Sequence, residues 1–349
     1  MTDRPGPGRT AGAPAVAIFA PAPVLVATLE YPDDGSDAEV AINVGGQGPW
    51  VARAVQALGA RAVLVAPFGG DTGRVARRLL AEEPHEVRAV DTKAAIAFYV
   101  EERRHGARSC LRDVPPGRFG QREIDDLYSA TLAAAIESGV CVITGSPWAG
   151  HVDASLVRRL TTDLATLGVL TVADVSGDQL DAALEGGVDW LKVARSDLER
   201  GGDRPGGEPG AGATGSEAWL WQRARELAAA GGRRRRVVVS RGSAPALVVA
   251  DEDAYVVTTP ELSTVDSRGS GDAMTAALAT GLAEGRPLDD LLRRASAAGA
   301  SNAVHKGSAT PDVELVDRLA GAVEVREAGA VRAGGRRPGD RLRRSAPGG

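Results

Sequence analysis

Asp266-Ser267-Arg268-Gly269-Ser270-Gly271-Asp272 runs straight into the apolar segment Ala273-Met274-Thr275-Ala276-Ala277-Leu278. Two glycines flank a small hydroxyl residue, a carboxylate follows at once, and a helix begins there. That order of residues aims backbone N–H groups and the positive end of a helix at one point. Such a point suits an anion, most naturally a nucleotide phosphate. A carboxylate beside an anion hole is electrostatically unfavourable unless it has a task. The task that fits is accepting the proton of a hydroxyl that is being phosphorylated.

A strand–helix rhythm leads up to this stretch. Ala62–Ala66, Val140–Thr144, Val169–Asp174, Trp190–Val193 and Val237–Ser240 read as buried strands. Trp50–Leu58 carries Val51, Ala54, Val55 and Leu58 on one helical face and stops at Gly59. Asp153–Leu167 repeats the pattern with Leu156, Leu160, Leu164 and Leu167 and stops at Gly168. Gly271–Ala283 and Leu288–Ala303 close the series. This alternation predicts an α/β fold of βαβ units, with a parallel sheet and helices on both faces. Two regions, Val24–Val44 and Ala94–Arg112, are extended with no helix between strands, and predict a small accessory sheet over the site. A second glycine cluster, Gly45-Gly46-Gln47-Gly48, precedes the first helix. It reads either as a place where backbone approaches a ligand closely or as a tight strand–helix turn.

Composition narrows the class. In 349 residues, 43% apolar but only 4% aromatic, the core must be built from Ala, Val and Leu. A formal charge of −5 argues against a general nucleic-acid binder. Cys110 and Cys141 are too few for a disulfide framework and read as packing residues in a reducing cytosol. Pro14, Pro21 and Pro23 interrupt the apolar run Ala13–Leu29, which is poor for a signal peptide. No later run approaches the roughly 20 apolar residues that span a bilayer, so the chain reads as soluble, cytoplasmic and without a membrane partner. One domain is expected over 13–324, between a disordered segment 1–12 and a disordered basic tail 325–349, with a flexible loop at 201–215. Arg233–Arg236 reads as a solvated loop, and His85, His105, His151 and His305 lack metal-ligand spacing.

Gly45-Gly46-Gln47-Gly48 with Val51-Ala52-Arg53, then Phe68-Gly69-Gly70-Asp71-Thr72-Gly73, then Asp266–Asp272, resemble the signature regions of the PfkB/ribokinase-like carbohydrate kinases. Thr144-Gly145-Ser146-Pro147-Trp148-Ala149-Gly150, Asp174-Val175-Ser176-Gly177 and Leu191-Lys192 through Asp197-Leu198 are similar to the 1-phosphofructokinase and tagatose-6-phosphate kinase branch. The resemblance covers about residues 14–320. It implies a ribokinase-like three-layer fold with a small β-sheet lid, ATP across the carboxyl edge of the sheet and the sugar beneath the lid. It implies transfer of the ATP γ-phosphoryl to a hydroxyl of a sugar or sugar phosphate. Asp272 is then the general base, and Gly269, Ser270 and Gly271 supply N–H groups to the transferring phosphoryl. Lys192, Ser240, Gly242 and Arg268 fall on the nucleotide side. Asp197 stands where the family has a Glu that organises Mg²⁺ through water. Read alone, Lys192 is equally a lysine at a strand end. Gly45, Gly46, Gln47, Trp50 and Lys93 fall on the substrate side, and a homodimer through the lid is expected.

The departures lie on the sugar side. Gln47 and Trp50 replace the branch's Lys and Asn, and Val24 replaces its sugar-holding Asp. Thr92-Lys93 stands for its Thr-Arg. On the nucleotide side, Val193 and Ala194 replace Pro and Asn, and Pro245 replaces a glycine. An apolar residue facing sugar hydroxyls leaves each unpaired, at about 1–3 kcal/mol. Two alternatives therefore accompany the carbohydrate-kinase reading. One is a kinase of a nucleoside or non-sugar alcohol. The other is a non-catalytic nucleotide- or sugar-binding protein on the same scaffold.

Overall fold

Every residue of the strand Ala15–Phe19 is buried, so both of its faces are covered by other elements. It pairs in parallel with Arg61–Gly69 on one side and Val140–Thr144 on the other. The computed structural model describes residues 12–32, 37–104, 107–201, 216–232, 234–305 and 310–328. In it, ten strands form one sheet in the order Glu324–Glu327, Asp253–Thr258, Ala244–Ala250, Arg236–Arg241, Trp190–Ala194, Leu170–Asp174, Val140–Thr144, Ala15–Phe19, Arg61–Gly69, Glu86–Thr92. The strands from Arg236–Arg241 to Glu86–Thr92 run parallel, and the other three add an antiparallel edge.

Alternate side chains of these strands feed two separate cores, as a sheet with helices on both faces requires. Val16, Ile18, Leu64, Val142, Val172 and Val238 pack on one side with helices Gln47–Ala57, Ser270–Glu284 and Leu288–Ala303. Ala17, Phe19, Val65, Ile143, Leu191 and Val239 pack on the other with helices Gln121–Ser138 and Ala154–Thr166. Each such Val, Leu or Ile contributes about 1.5–3 kcal/mol relative to leaving it exposed. The Ala154–Thr166 stripe buries Leu156, Leu160 and Leu164, and its start is capped by Asp153, whose carboxylate accepts from Ser155 N–H at 2.7 Å. The Ser270–Glu284 helix buries Ala273, Ala276, Ala277, Leu278, Ala279 and Ala283. Small residues around much of its circumference let it sit deep between the sheet and the neighbouring helix.

The remaining strands, Glu39–Gly45, Val24–Tyr31, Ala97–Arg104 and Ala107–Val114, pair in that order into a separate four-stranded sheet. It is the lid of the ribokinase-like architecture. Its first strand starts five residues after the end of Ala15–Phe19, at the carboxyl edge of the large sheet.

Several local expectations change. Glu324–Glu327 is an edge strand paired with Asp253–Thr258, so ordered chain continues past residue 324. Cys141 is buried as expected, but Cys110 lies exposed on the lid. Arg235 is not part of a solvated loop. It is buried, and its guanidinium donates to the carbonyls of Leu184 at 3.1 Å and Ala230 at 2.7 Å. Carbonyls left over at helix ends attract such a cation. Residues 1–11, 202–215 and 329–349 lie outside the described residues, as does His105. Among the described residues no helix is long and apolar enough to cross a membrane.

Candidate active site

Lys192 is central in its strand and 6% exposed. The register Trp190↔Val172 and Leu191↔Ala173 brings it level with Asp174, the last residue of the adjacent parallel strand. Its Nζ donates to Asp174 Oδ2 at 3.0 Å, and Thr275 Oγ1 donates to the same oxygen at 3.0 Å. Thr275 lies one turn into the Ser270–Glu284 helix, so this hydroxyl ties the helix start to the carboxyl edge of the sheet. Asp272 sits in the first turn of the same helix and is 7% exposed. Burial, reinforced by the neighbouring Asp174 charge, pushes its carboxyl up to about 8, while Lys192 pulls it back. Burial alone would lower the Lys192 ammonium, but the Asp174 and Asp272 carboxylates outweigh it and hold it above its ordinary value.

The loop entering this helix is built for close approach. Gly269 has φ 75°, a left-handed conformation that glycine adopts without a Cβ clash. A Cβ on Gly271 would lie 2.6 Å from Lys192 Nζ, so the ammonium rests against that α-carbon. A helix N-terminus and a buried ammonium thus converge beside a carboxylate held near neutrality. The set can bind an anion and accept a proton at one place. Below it, Asn302 Nδ2 donates to the Arg268 carbonyl at 2.6 Å and to Ser270 Oγ at 3.3 Å.

The pfkB family carbohydrate kinase profile matches residues 24–314 of this sequence. The chain belongs to the pfkB family of carbohydrate kinases. It is 30% identical over 267 residues to the ATP-dependent 6-phosphofructokinase isozyme 2 of Escherichia coli K12, covering 76% of this chain and 82% of that one. It is 31% identical over 90 residues to a tagatose-6-phosphate kinase of Staphylococcus epidermidis, covering 26% and 29% of the two chains. The tetrameric inhibited form of phosphofructokinase-2 from Escherichia coli superposes with a TM-score of 0.73 at 25% identity, over 89% of this chain and 99% of that one. The family uses ATP, and the protein is a phosphotransferase.

The pfkB kinase gathers most of its sequence-predicted site residues at one sheet edge. Ser240 lies near the end of the strand next to Lys192, Gly242 follows in the turn just beyond it, and Ser240 Oγ donates to the Val193 carbonyl at 3.4 Å. Asp197 follows at the start of the helix Arg195–Gly201 and accepts from Ala194 N–H at 3.3 Å. Ser270 is a partial exception. Its N–H turns back to the Ser267 carbonyl at 3.3 Å, leaving the later first-turn amides, Gly271 foremost, for an anion.

On the sugar side, Gln47 Oε1 accepts from Gly145 N–H at 3.3 Å and so pins the glycine cluster to the end of Val140–Thr144. The turn reading of that cluster holds at Gly46. Gly46 has φ 96°, which is turn geometry, and a Cβ there would lie 2.7 Å from the Ala22 carbonyl. The half-buried Trp50 indole lies against Gly45. Val24 pairs with Gly45 and Ala97 as the first residue of the lid. Lys93 is exposed just beyond the Glu86–Thr92 strand, and its backbone N–H donates to Glu123. Sequence reasoning gave no role to Asp174, Thr275 or Asn302. Only the pairing register and helix packing bring these separate segments to Asp272.

Among the described residues no three His, Cys, Asp or Glu side chains cluster as metal ligands. The donor set instead suits a phosphate chain that carries its own cation. Lys192 and the helix N-terminus would hold phosphate oxygens, and Asp197 would reach a hydrated ion through water.

Proposed function

We propose that this kinase transfers the γ-phosphoryl of ATP to a hydroxyl of a sugar phosphate, 1-phosphofructokinase-like, with Asp272 as the general base. The observation that carries the reading is the buried Asp272 carboxyl, raised to about 8, in the first turn of a helix that begins against the Lys192 ammonium. A base whose affinity for protons lies near the working pH abstracts a hydroxyl proton effectively. Lys192 and the Gly271 N–H orient the phosphoryl and offset its charge, while the small-residue helix holds the base in place. Bound Mg²⁺ supplies neutralisation of the phosphate oxygens. The transition state of such a transfer is loose, so positioning and charge carry most of the acceleration.

The acceptor side supports a second reading. Val24 is committed to the lid and Gln47 to Gly145. The acceptor therefore meets the indole of Trp50 where the branch offers polar side chains, and a less hydroxylated acceptor such as a nucleoside fits that wall. The test is ADP release with ATP and Mg²⁺ over fructose phosphates, tagatose 6-phosphate, free hexoses and nucleosides. Turnover restricted to sugar phosphates is expected. Turnover on nucleosides alone selects the second reading, and binding of ATP without any turnover overturns both.

The lid also supports self-association. Val40 and Ile42 are 64% and 53% exposed, and they stand opposite Leu29 and Ala27, with Val100 next in the same row. These five apolar residues share one face of the lid, opposite the face that carries Thr28 and Glu101. A homodimer burying this face is expected by light scattering, and a monomer across concentrations contradicts it.

A further inference from the structure

The lid and the loop that enters the anion hole are joined by charges the chemistry above does not use. Glu101, on the lid strand Ala97–Arg104, is 3% exposed. Its Oε1 accepts from Thr28 Oγ1 at 3.1 Å and from Arg103 Nε at 3.3 Å, and lies 3.6 Å from Arg108 Nη1. Its Oε2 accepts from Arg268 Nη1 at 3.1 Å. Arg108, on the neighbouring lid strand, donates through Nη2 to Asp266 Oδ2 at 2.7 Å. Asp266 Oδ1 in turn accepts from the Arg268 backbone N–H at 3.1 Å and lies 3.8 Å from its Nε. Glu101, Arg268, Asp266 and Arg108 therefore form a closed ring of alternating charge. Two members stand on the lid, and two on the three residues preceding Gly269.

We propose that Glu101 and Arg108 are positioning residues of the kinase: seated on the loop 266–268, they lock the anion hole and Asp272 in place, so that lid closure and assembly of the phosphoryl site are one event. The burial of Glu101 gives the ring its force. An exposed ion pair contributes little, but Glu101 is buried, and losing Arg268 strips its Oε2 of a guanidinium while Arg103 and Arg108 stay at Oε1. Lifting the lid removes Arg268 from Glu101 and Arg108 from Asp266 together. The loop then keeps its lower anchors, the Asp266 N–H on the Ala303 carbonyl at 3.1 Å and Asn302 Nδ2 on the Arg268 carbonyl at 2.6 Å, which leave its side chains free to move, and the glycine conformation at Gly269 offers no rigidity of its own. The ring lies on the lid face opposite the apolar row Val40, Ile42, Leu29, so self-association leaves it free to act.

This inference rests on the phosphoryl reading of the loop, and its test needs no turnover. Amide hydrogen exchange is measured on the full-length wild type and on Glu101→Gln, which keeps the side-chain shape and removes the charge. Exchange across residues 266–273 becomes roughly tenfold faster in the variant, while Val140–Thr144 keeps its wild-type protection. In the kinase assay, kcat falls more than KM for ATP, and Glu101→Asp recovers part of it. If Glu101→Gln does not fold, Arg108→Gln tests the Asp266 arm in the same way from a more accessible position. Loosening confined to the lid strands, with 266–273 unchanged, overturns the proposal. Loosening of 266–273 in a protein that phosphorylates nothing leaves it standing and sinks the functional reading instead.

Discussion

Asp272→Asn loses turnover by about 10²–10⁴-fold, the usual contribution of a positioned general base. The same variant still binds ATP and unfolds at a higher temperature than wild type at pH 7. The second half follows from the carboxyl raised to about 8 in the folded chain. In the unfolded chain an Asp ionises near its ordinary value of about 3.9. A group with a raised folded value gives its full stabilisation below the unfolded value and loses it as pH climbs toward the folded one. Between about pH 4 and pH 8 the folded wild type therefore loses about 1.4 kcal/mol per pH unit from this group. Asparagine does not titrate, so its stability advantage grows across that window, levels off above it and vanishes near pH 4. Melting curves of both proteins from pH 4 to 9 check the stability claim, and ADP release checks the kinetic one. A variant as active as wild type removes Asp272 from the role of base. A variant less stable than wild type at pH 7 shows that burial does not strain the Asp272 carboxylate.

The loop and helix start proposed as the phosphoryl end are legible because they are local. Gly269, Gly271 and Asp272 share one turn of backbone, and a turn of backbone is written in consecutive residues. Strands such as Val140–Thr144 and helices such as Leu288–Ala303 were equally readable, since burial on two faces or on one stripe leaves a direct periodic trace. Asp174 was not legible as a partner. Its role comes from a register between parallel strands, and nothing near residue 174 reports that Lys192 and Thr275 will meet there. Arg235 failed for a related reason. A run of arginines looks solvated until the fold delivers carbonyls from two helix ends to one of them. Gln47 and Trp50 show the opposite limit: their identity departs from the branch's Lys and Asn, but only packing reveals that one braces Gly145 and the other lies against Gly45.

Lys192→Met destabilises the fold by about 3–5 kcal/mol, the usual effect of removing one partner from a buried ion pair. Methionine matches the length of the lysine stem, so little of this loss comes from a cavity. Its source is Asp174. In wild type its Oδ2 takes hydrogen bonds from Lys192 and Thr275, and in the variant only the Thr275 hydroxyl remains. Asp272 loses the Lys192 charge at the same time, so its carboxyl moves further up and stays protonated over more of the pH range. A protonated base and an absent ammonium act on the same step, and kcat falls with the fold already weakened. Adding Asp174→Asn separates the two effects, because the amide needs no counter-charge. The double variant regains most of the lost stability in urea unfolding and regains no activity. If Lys192→Met alone is as stable as wild type, the ammonium between the two carboxylates is not compensating buried charge. If the double variant recovers turnover, Lys192 serves the stability of the sheet edge and not the transfer.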